Sequence, residues 1–192
     1  MIRGFIDFDN LDRTLVFDRL PLDQGISLPG LKLELGGTGI GVFARNHQAL
    51  LVLGQPRIRD AGLAGLVERD GWAASIPQLC DAPDEFLGKL AGRFALLWLD
   101  TAKGKIGFAS DRFNTYGFCY ASEGRRLSFA DRANEVPALE RELDPQSIFD
   151  YLYFHTIPAP GTIFKGVFRL EPGARLVTND NSCVTPRNTF RR

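Results

Sequence analysis

Across 192 residues, 23 Lys and Arg are matched by 23 Asp and Glu, so the formal net charge is zero. A balanced chain lacks the basic face that nucleic acid or an anionic membrane surface would require. An apolar fraction of 44% with 15 Phe supplies a sizeable core, at a length that suits one domain plus a short tail.

No apolar run approaches the roughly 18–20 residues of a membrane span, and the opening MIRGFIDFDN lacks the pattern of a secretory signal. The expected compartment is therefore the cytoplasm. Cys80, Cys119 and Cys183 have no metal-like spacing and read as free thiols of a reducing environment. His47 and His155 are far apart, with no cysteine beside either, so no zinc site is expected.

In chain order, residues 2–8 and 14–18 suit two strands, and 31–35 a third short one among turns rich in Pro and Gly. Gly39-Ile40-Gly41-Val42-Phe43-Ala44 imitates a dinucleotide-binding fingerprint. That motif needs a helix opening within it, to aim amides at a pyrophosphate. The residues that follow, including Ala49 to Leu53, are β-formers, so the stretch reads as a strand between turns. Residues 60–70 carry Ala61, Leu63, Ala64, Leu66 and Val67 at helical spacing, with Gly71 as the stop. A second short helix is expected at 82–90, with Asp81 as N-cap and Pro83 in its first turn.

Four apolar runs follow, at 94–99, 105–109, 117–121 and 127–130, separated by connectors of Gly, Asp, Asn and Ser. This is the pattern of successive antiparallel strands. The run Phe94-Ala95-Leu96-Leu97-Trp98-Leu99 is apolar at every position, so both its faces should be covered, inside a layered structure. Residues 131–140 suit a short helix broken at Pro137. Asp144-Pro145 opens another, with Ile148, Phe149, Leu152 and Tyr153 as its apolar stripe. The Pro-rich 157–161 ends that helix. Strands are expected at 162–164, 167–170 and 174–177, and residues 178–192 read as a tail or linker.

Leu90, Gly92, Phe94, Ala95 and Asp100, then Asp111-Arg112-Phe113, then Tyr120-Ala121 and Leu127, Phe129, Ala130 form one ordered series. Thr162-Ile163-Phe164-Lys165-Gly166-Val167 and Leu170-Glu171-Pro172-Gly173 extend it. The series resembles class II glutamine amidotransferase domains, above all the N-terminal half of asparagine synthetases. It covers residues 86–177 well and the first eighty-five poorly. The resemblance implies an α+β fold, a four-layer α-β-β-α sandwich with two stacked antiparallel sheets of the Ntn-hydrolase type, over residues 1–177. It also implies a downstream ATP-dependent synthetase domain as partner, in cis or in trans. ATP and Mg would belong to that domain, and no cofactor is expected in this one.

Active members of that family place a cysteine directly after the initiator methionine, where its own α-amine carries the proton. Here Ile2 holds that position and has no nucleophilic atom. Their F-N-G-E segment, whose Asn side chain and Gly amide bind the developing oxyanion, corresponds to Leu53-Gly54-Gln55-Pro56. Gly54 then stands at the Asn and Gln55 beside it, with no side-chain donor at the Asn position. The Arg-Leu-Ser segment that grips the glutamine carboxylate has no counterpart before Ala49, and Asp60 and Asp70 are the only guesses for the Asp that holds the substrate amine. No catalytic or metal residue is therefore assigned. Cys119 lies within an expected strand, and neither Cys80 nor Cys183 has a nearby His to activate it.

Asp111, Arg112 and Phe113 admit two readings: an edge facing a partner domain, or a turn fixed by a carboxylate–guanidinium pair, with the Asp accepting from backbone amides and the Arg forking onto carbonyls or acids, which is the favoured one. Phe164, Lys165, Pro172 and Gly173 are candidates of the same structural or interface kind, and Lys165 is expected to be solvated. The expected function is that of a glutaminase-like domain of an amide-forming synthetase, without hydrolysis of its own. The alternatives are a free-standing binding or scaffolding module and, third, a glutamine-hydrolysing enzyme with another nucleophile. The cluster Ile157, Pro158, Pro160, Ile163, Phe164 and Phe168 is expected either to form a docking patch or to point inward.

Overall fold

The computed structural model describes residues 1–20, 25–37, 39–137, 141–179 and 187–188. Twelve strands build two sheets: β1 (Ile2–Asp7), β2 (Ile26–Leu28), β3 (Leu31–Leu35), β4 (Ile40–Arg45), β5 (Gln48–Ile58), β6 (Leu90–Asp100), β7 (Lys105–Ser110), β8 (Cys119–Glu123), β9 (Arg126–Ala130), β10 (Phe168–Arg169), β11 (Ala174–Asn179) and β12 (Arg187–Asn188). Four α-helices accompany them among the described residues: α1 (Ala61–Asp70), α2 (Ile76–Asp81), α3 (Pro83–Gly88) and α4 (Pro145–Phe154). The first sheet runs β10-β8-β9-β1-β3-β2 and the second β12-β11-β7-β6-β5-β4, with every pairing antiparallel. The two-sheet sandwich expected from the sequence is what forms.

β5 and β6 pair along their whole length, from Gln48 opposite Asp100 to Ile58 opposite Leu90. Alternation then divides the apolar run. Ala95, Leu97 and Leu99 join Ile2, Ile6, Phe108 and Phe129 in the core between the sheets. Phe94, Leu96 and Trp98 face the other way, under Leu63, Ile76, Leu79, Phe86 and Leu87 of α1 to α3. Both faces are covered, as an unbroken apolar strand requires. On the outer side of the first sheet the cover is thinner. Cys119, Ala121 and Ala130 are capped by Val136, Val167 and Phe164 from connecting segments.

The strand series does not stay in one sheet. β6–β7 is a hairpin of the second sheet and β8–β9 a hairpin of the first. The connector 111–118 therefore crosses the sandwich.

Several expectations need correction. Residues 14–18 form no strand, because Asp12 accepts from both the amide and the hydroxyl of Thr14 in a local turn. A 3-10 turn at Phe17–Arg19 follows and buries Phe17 completely. Asp81 does not cap α3. It is the last residue of α2, a helix that the sequence reading missed, and Ala82 holds the cap position. Residues 131–137 make only a 3-10 turn at Ala133–Glu135, and 138–140 fall outside the described residues. Residues 162–164 contribute a single bridge, Leu143 to Phe164, in place of a strand. β11 continues to Asn179, and Arg187–Asn188 pairs back onto Ala174 and Arg175.

Asp60 caps α1, accepting from the Leu63 amide at 2.7 Å, and Asp144 caps α4, accepting from Gln146 at 3.2 Å. The stripe of α4, however, faces solvent: Ser147 is its one buried residue. Among the described residues no helix is long and apolar enough to cross a membrane.

Trp98 lies directly opposite Gly107, and its indole fills the space where a side chain at 107 would stand, 2.1 Å from an ideal Cβ. Gly107→Ala should therefore destabilise the fold by about 1–3 kcal/mol through overpacking. In a Trp98→Leu background the same change should cost much less, which denaturant titration of the four chains would measure.

Candidate functional site

The positions that matter to glutaminase chemistry gather around one connection. β1 brings Ile2 into the sandwich, where its side chain is fully buried among the core residues. The Met1 nitrogen donates to the Gly36 carbonyl at 2.7 Å and lies 3.4 Å from the Asp131 carboxylate. Gly36 begins the connection from β3 in the first sheet to β4 in the second. At its far end the Gly39 carbonyl accepts a long 3.4 Å bond from the Gly54 amide. Ile2 and Gly54 thus lie on either side of a single glycine-rich link.

Gly54 has φ +78°, a conformation that favours glycine. A Cβ there would lie 2.5 Å from the Tyr116 ring and 2.6 Å from the Arg93 carbonyl. Tyr116, brought in by the sheet-crossing connector, covers the spot. Leu53 points into the core between the sheets, and Gln55 is exposed.

The family-motif residues meet at a second place. Asp111 is buried, with Oδ2 accepting from the Phe94 amide at 2.9 Å and Oδ1 from the Phe113 amide at 2.7 Å. Its carbonyl accepts from Gly173 at 2.8 Å. Asn114, at φ +50°, donates its side-chain amide to the Leu170 carbonyl at 2.8 Å, and the Ser110 hydroxyl donates to the Glu171 carbonyl at 2.9 Å. The carboxylate of the Asp-Arg-Phe motif is spent on backbone amides of β6 and of the connector itself, while the Asp111 carbonyl, Asn114 and Ser110 pin the connector to the 170–173 turn. Arg112 is exposed and Phe113 is 81% exposed. Lys165 pairs with Glu142 at 3.2 Å at the surface, Phe164 packs half-buried onto the outer cluster, and Pro172 is exposed. Tyr116 and Asn114 escaped the sequence reading. An Asn between Phe and Thr in a polar connector is a turn signal that could have marked the second of them.

Other candidates sit elsewhere. Asp60 is occupied as a helix cap, and Asp70 pairs with Arg69 at 2.8 Å, which holds its carboxyl below the usual range. Burial pushes the Cys80 thiol up to about 12, and burial raises Cys119 as well. Cys183 lies outside the described residues. A cavity of about 360 Å³ is lined by Arg45, His47, Gln48, Asp100 and Lys103, away from Ile2 and Gly54. Its polar groups are engaged in part with one another, Gln48 donating to Asp100 at 2.8 Å. Among the described residues no group of three or more His, Cys, Asp and Glu could hold a metal ion.

Residues 78–189, more than half of the chain, match the family model of the glutamine amidotransferase domain. The chain belongs to that family. The amidotransferase domain is also similar to asparagine synthetase (glutamine-hydrolysing) 1 of Bacillus subtilis strain 168, at 24% identity over 110 residues. That alignment covers 56% of this chain and 17% of the relative. Among solved structures, the allosteric regulatory enzyme of purine biosynthesis matches 100% of this chain and 43% of its own, at 14% identity and a TM-score of 0.50. The glutamine phosphoribosylpyrophosphate amidotransferase of B. subtilis aligns over 78% of this chain and 31% of its own, at 16% identity and a TM-score of 0.44. The amidotransferase domain thus spans less than half the length of each of these proteins. The first of the two structures carries the fold: two stacked antiparallel sheets of the Ntn-hydrolase amidotransferase type.

The buried thiols give a direct test. In a Cys183→Ser chain at pH 8, Cys80 and Cys119 should resist a thiol reagent until the protein is unfolded, because the reactive species is the thiolate. The linkage has a definite sign. The native Cys80 thiol keeps its proton from its ordinary value near 9.0 up to about 12, while the unfolded chain releases it. Its contribution to stability is fully present below pH 9 and should fall as pH rises through that window.

Proposed function

We propose that this amidotransferase domain no longer hydrolyses glutamine and serves as the structural partner of an ATP-dependent, amide-forming synthetase domain, in cis or in trans. The conformation of Gly54 carries the proposal. Its left-handed φ and the absence of room for a Cβ fit the glycine of the Asn-Gly pair, not the asparagine. The asparagine position then falls on Leu53, an apolar residue buried in the core. The amide left to Gly54 is already directed at Gly39, and the Tyr116 ring lies where a reacting group would approach. With Ile2 buried at the start of β1, neither a nucleophile nor a side-chain oxyanion donor faces the link. The cysteines offer no substitute, since burial keeps the thiols of Cys80 and Cys119 protonated.

ATP and Mg would be bound by the partner domain, in the cytoplasm, and the similarity to asparagine synthetase supports that class of partner. The acceptor carboxylate would be chosen by the partner as well. A free-standing scaffold is the rival reading, distinguished by the absence of any synthetase bound to the domain.

Incubated with glutamine, the chain should release no ammonia above background. Loss of one oxyanion donor alone costs roughly 10²–10³ in rate, and loss of the nucleophile costs more. Ile2→Cys should remain silent for the same reason. Turnover by the unmodified chain that disappears on Cys80→Ala or Cys119→Ala would falsify the proposal.

A further inference from the structure

Nine of the twelve large apolar side chains left exposed among the described residues fall within 143–168. Six of them lie on α4: Ile148, Phe149, Tyr151, Leu152, Tyr153 and Phe154. At 100° per residue these positions point all round the helix axis. Leu152 is 71% and Tyr153 70% exposed, while Ile163 and Phe168 continue the apolar surface beyond the Pro-rich turn. α4 is held at its base. The Asp144 amide donates to the Ile163 carbonyl at 2.9 Å, and Leu143 bridges Phe164, which is packed on the first sheet. The helix is therefore anchored and presented, with almost nothing of this chain over it.

A helix apolar on all sides is stable only when surrounded. With the six side chains of α4 between 36% and 71% exposed, the apolar area on offer is on the order of 800 Å², one partner's share of a stable interface. Three observations select the occupant. The chain's own C-terminal strand pairs at Arg187–Asn188 with the second sheet, whereas α4 is tied to the first. A second copy would cover one side only, and symmetric pairing about the middle of the helix would set Asp150 against its own counterpart. The relative in B. subtilis is matched over only 17% of its length, so that protein carries much further chain beside the matched part.

We infer that α4 is a docking helix that inserts into an apolar groove of the synthetase domain, a groove with a basic rim facing Asp144 and Asp150. This rests on the functional reading above and specifies the surface that reading uses. The mode is helix-in-groove recognition, in which exposed anchors on several faces are enclosed together.

The test uses the full chain with a photo-crosslinking benzoylphenylalanine at Leu152 or Tyr153, expressed in its own cells. Control chains carry the same group at Glu68 on α1 or Ser27 on β2, both exposed. The expected crosslink from α4 is to a polypeptide, or a later part of the same one, that contains a Ser-Gly-Gly-x-Asp-Ser pyrophosphate loop. The controls should give none. The double variant Leu152→Asp, Tyr153→Asp should keep its circular dichroism spectrum, since both side chains are exposed, and should lose roughly tenfold or more in affinity for that polypeptide. For a partner within the same polypeptide, the loss is read on the separately expressed synthetase part. Crosslinks from α4 to a second copy of the chain, to a protein without the loop, or to nothing would overturn the inference. If only a control position captures the synthetase, the functional proposal stands and the docking helix falls. If no position captures one, both fall.

Discussion

The fold depends on burying β6 from both sides. A strand with no polar position along 94–99 cannot sit at a surface, so it needs a sheet over one face and helices over the other. Alternation gives each neighbour a distinct set, Ala95, Leu97 and Leu99 to the opposing sheet and Phe94, Leu96 and Trp98 to α1, α2 and α3. Burying one large side chain is worth about 1.5–3 kcal/mol, so six in succession outweigh any preference of the flanking loops. Gly107 opposite Trp98 is the local accommodation that lets the largest of them fit.

From that strand the motif residues acquire their positions. Phe94 donates its amide to the Asp111 carboxylate, and the Asp111 carbonyl accepts from Gly173, so β6, the crossing connector and the entry to β11 are held together at one buried residue. The same connector delivers Tyr116 onto Gly54. What reads in sequence as a turn motif and a separate Leu-Gly-Gln-Pro segment is physically one assembly. The surroundings of Gly54 are therefore tied to packing that also joins the two sheets.

Much of this was legible in the residues. The unbroken apolar run announced double-sided burial, the Asp-Pro start announced α4 by its capping chemistry, and helical spacing with the Gly71 stop announced α1. The ordered family segments implied the sandwich, although not that β7 and β8 part company between sheets. Other features lacked a local signal. Ile76-Pro77 opens a helix only because Pro suits its first turn, and the short Ile26–Leu28 strand shows too few residues to display a period. Periodicity placed an apolar stripe on α4, but period reports which residues share a face and not what covers them. The contact of Tyr116 with Gly54 joins positions sixty-two residues apart and cannot be seen in either neighbourhood alone.

The order of strands in the first sheet has a consequence for how the chain is made. β1 is synthesised long before β9, yet it lies between β3 and β9, paired with Arg126 to Ala130 on one side. Synthesis at about 5–20 residues per second leaves one edge of β1 open for roughly 6–25 s. During that time β1, with Ile2 and Ile6, lacks its β9 partner, and an open apolar edge invites pairing with other chains. The hairpins of the second sheet, β4–β5 and β6–β7, close from nearby residues and need no such wait. A nascent chain of this topology is thus most exposed to aggregation at β1, and a chaperone that engages this strand early would protect it for the longest vulnerable interval.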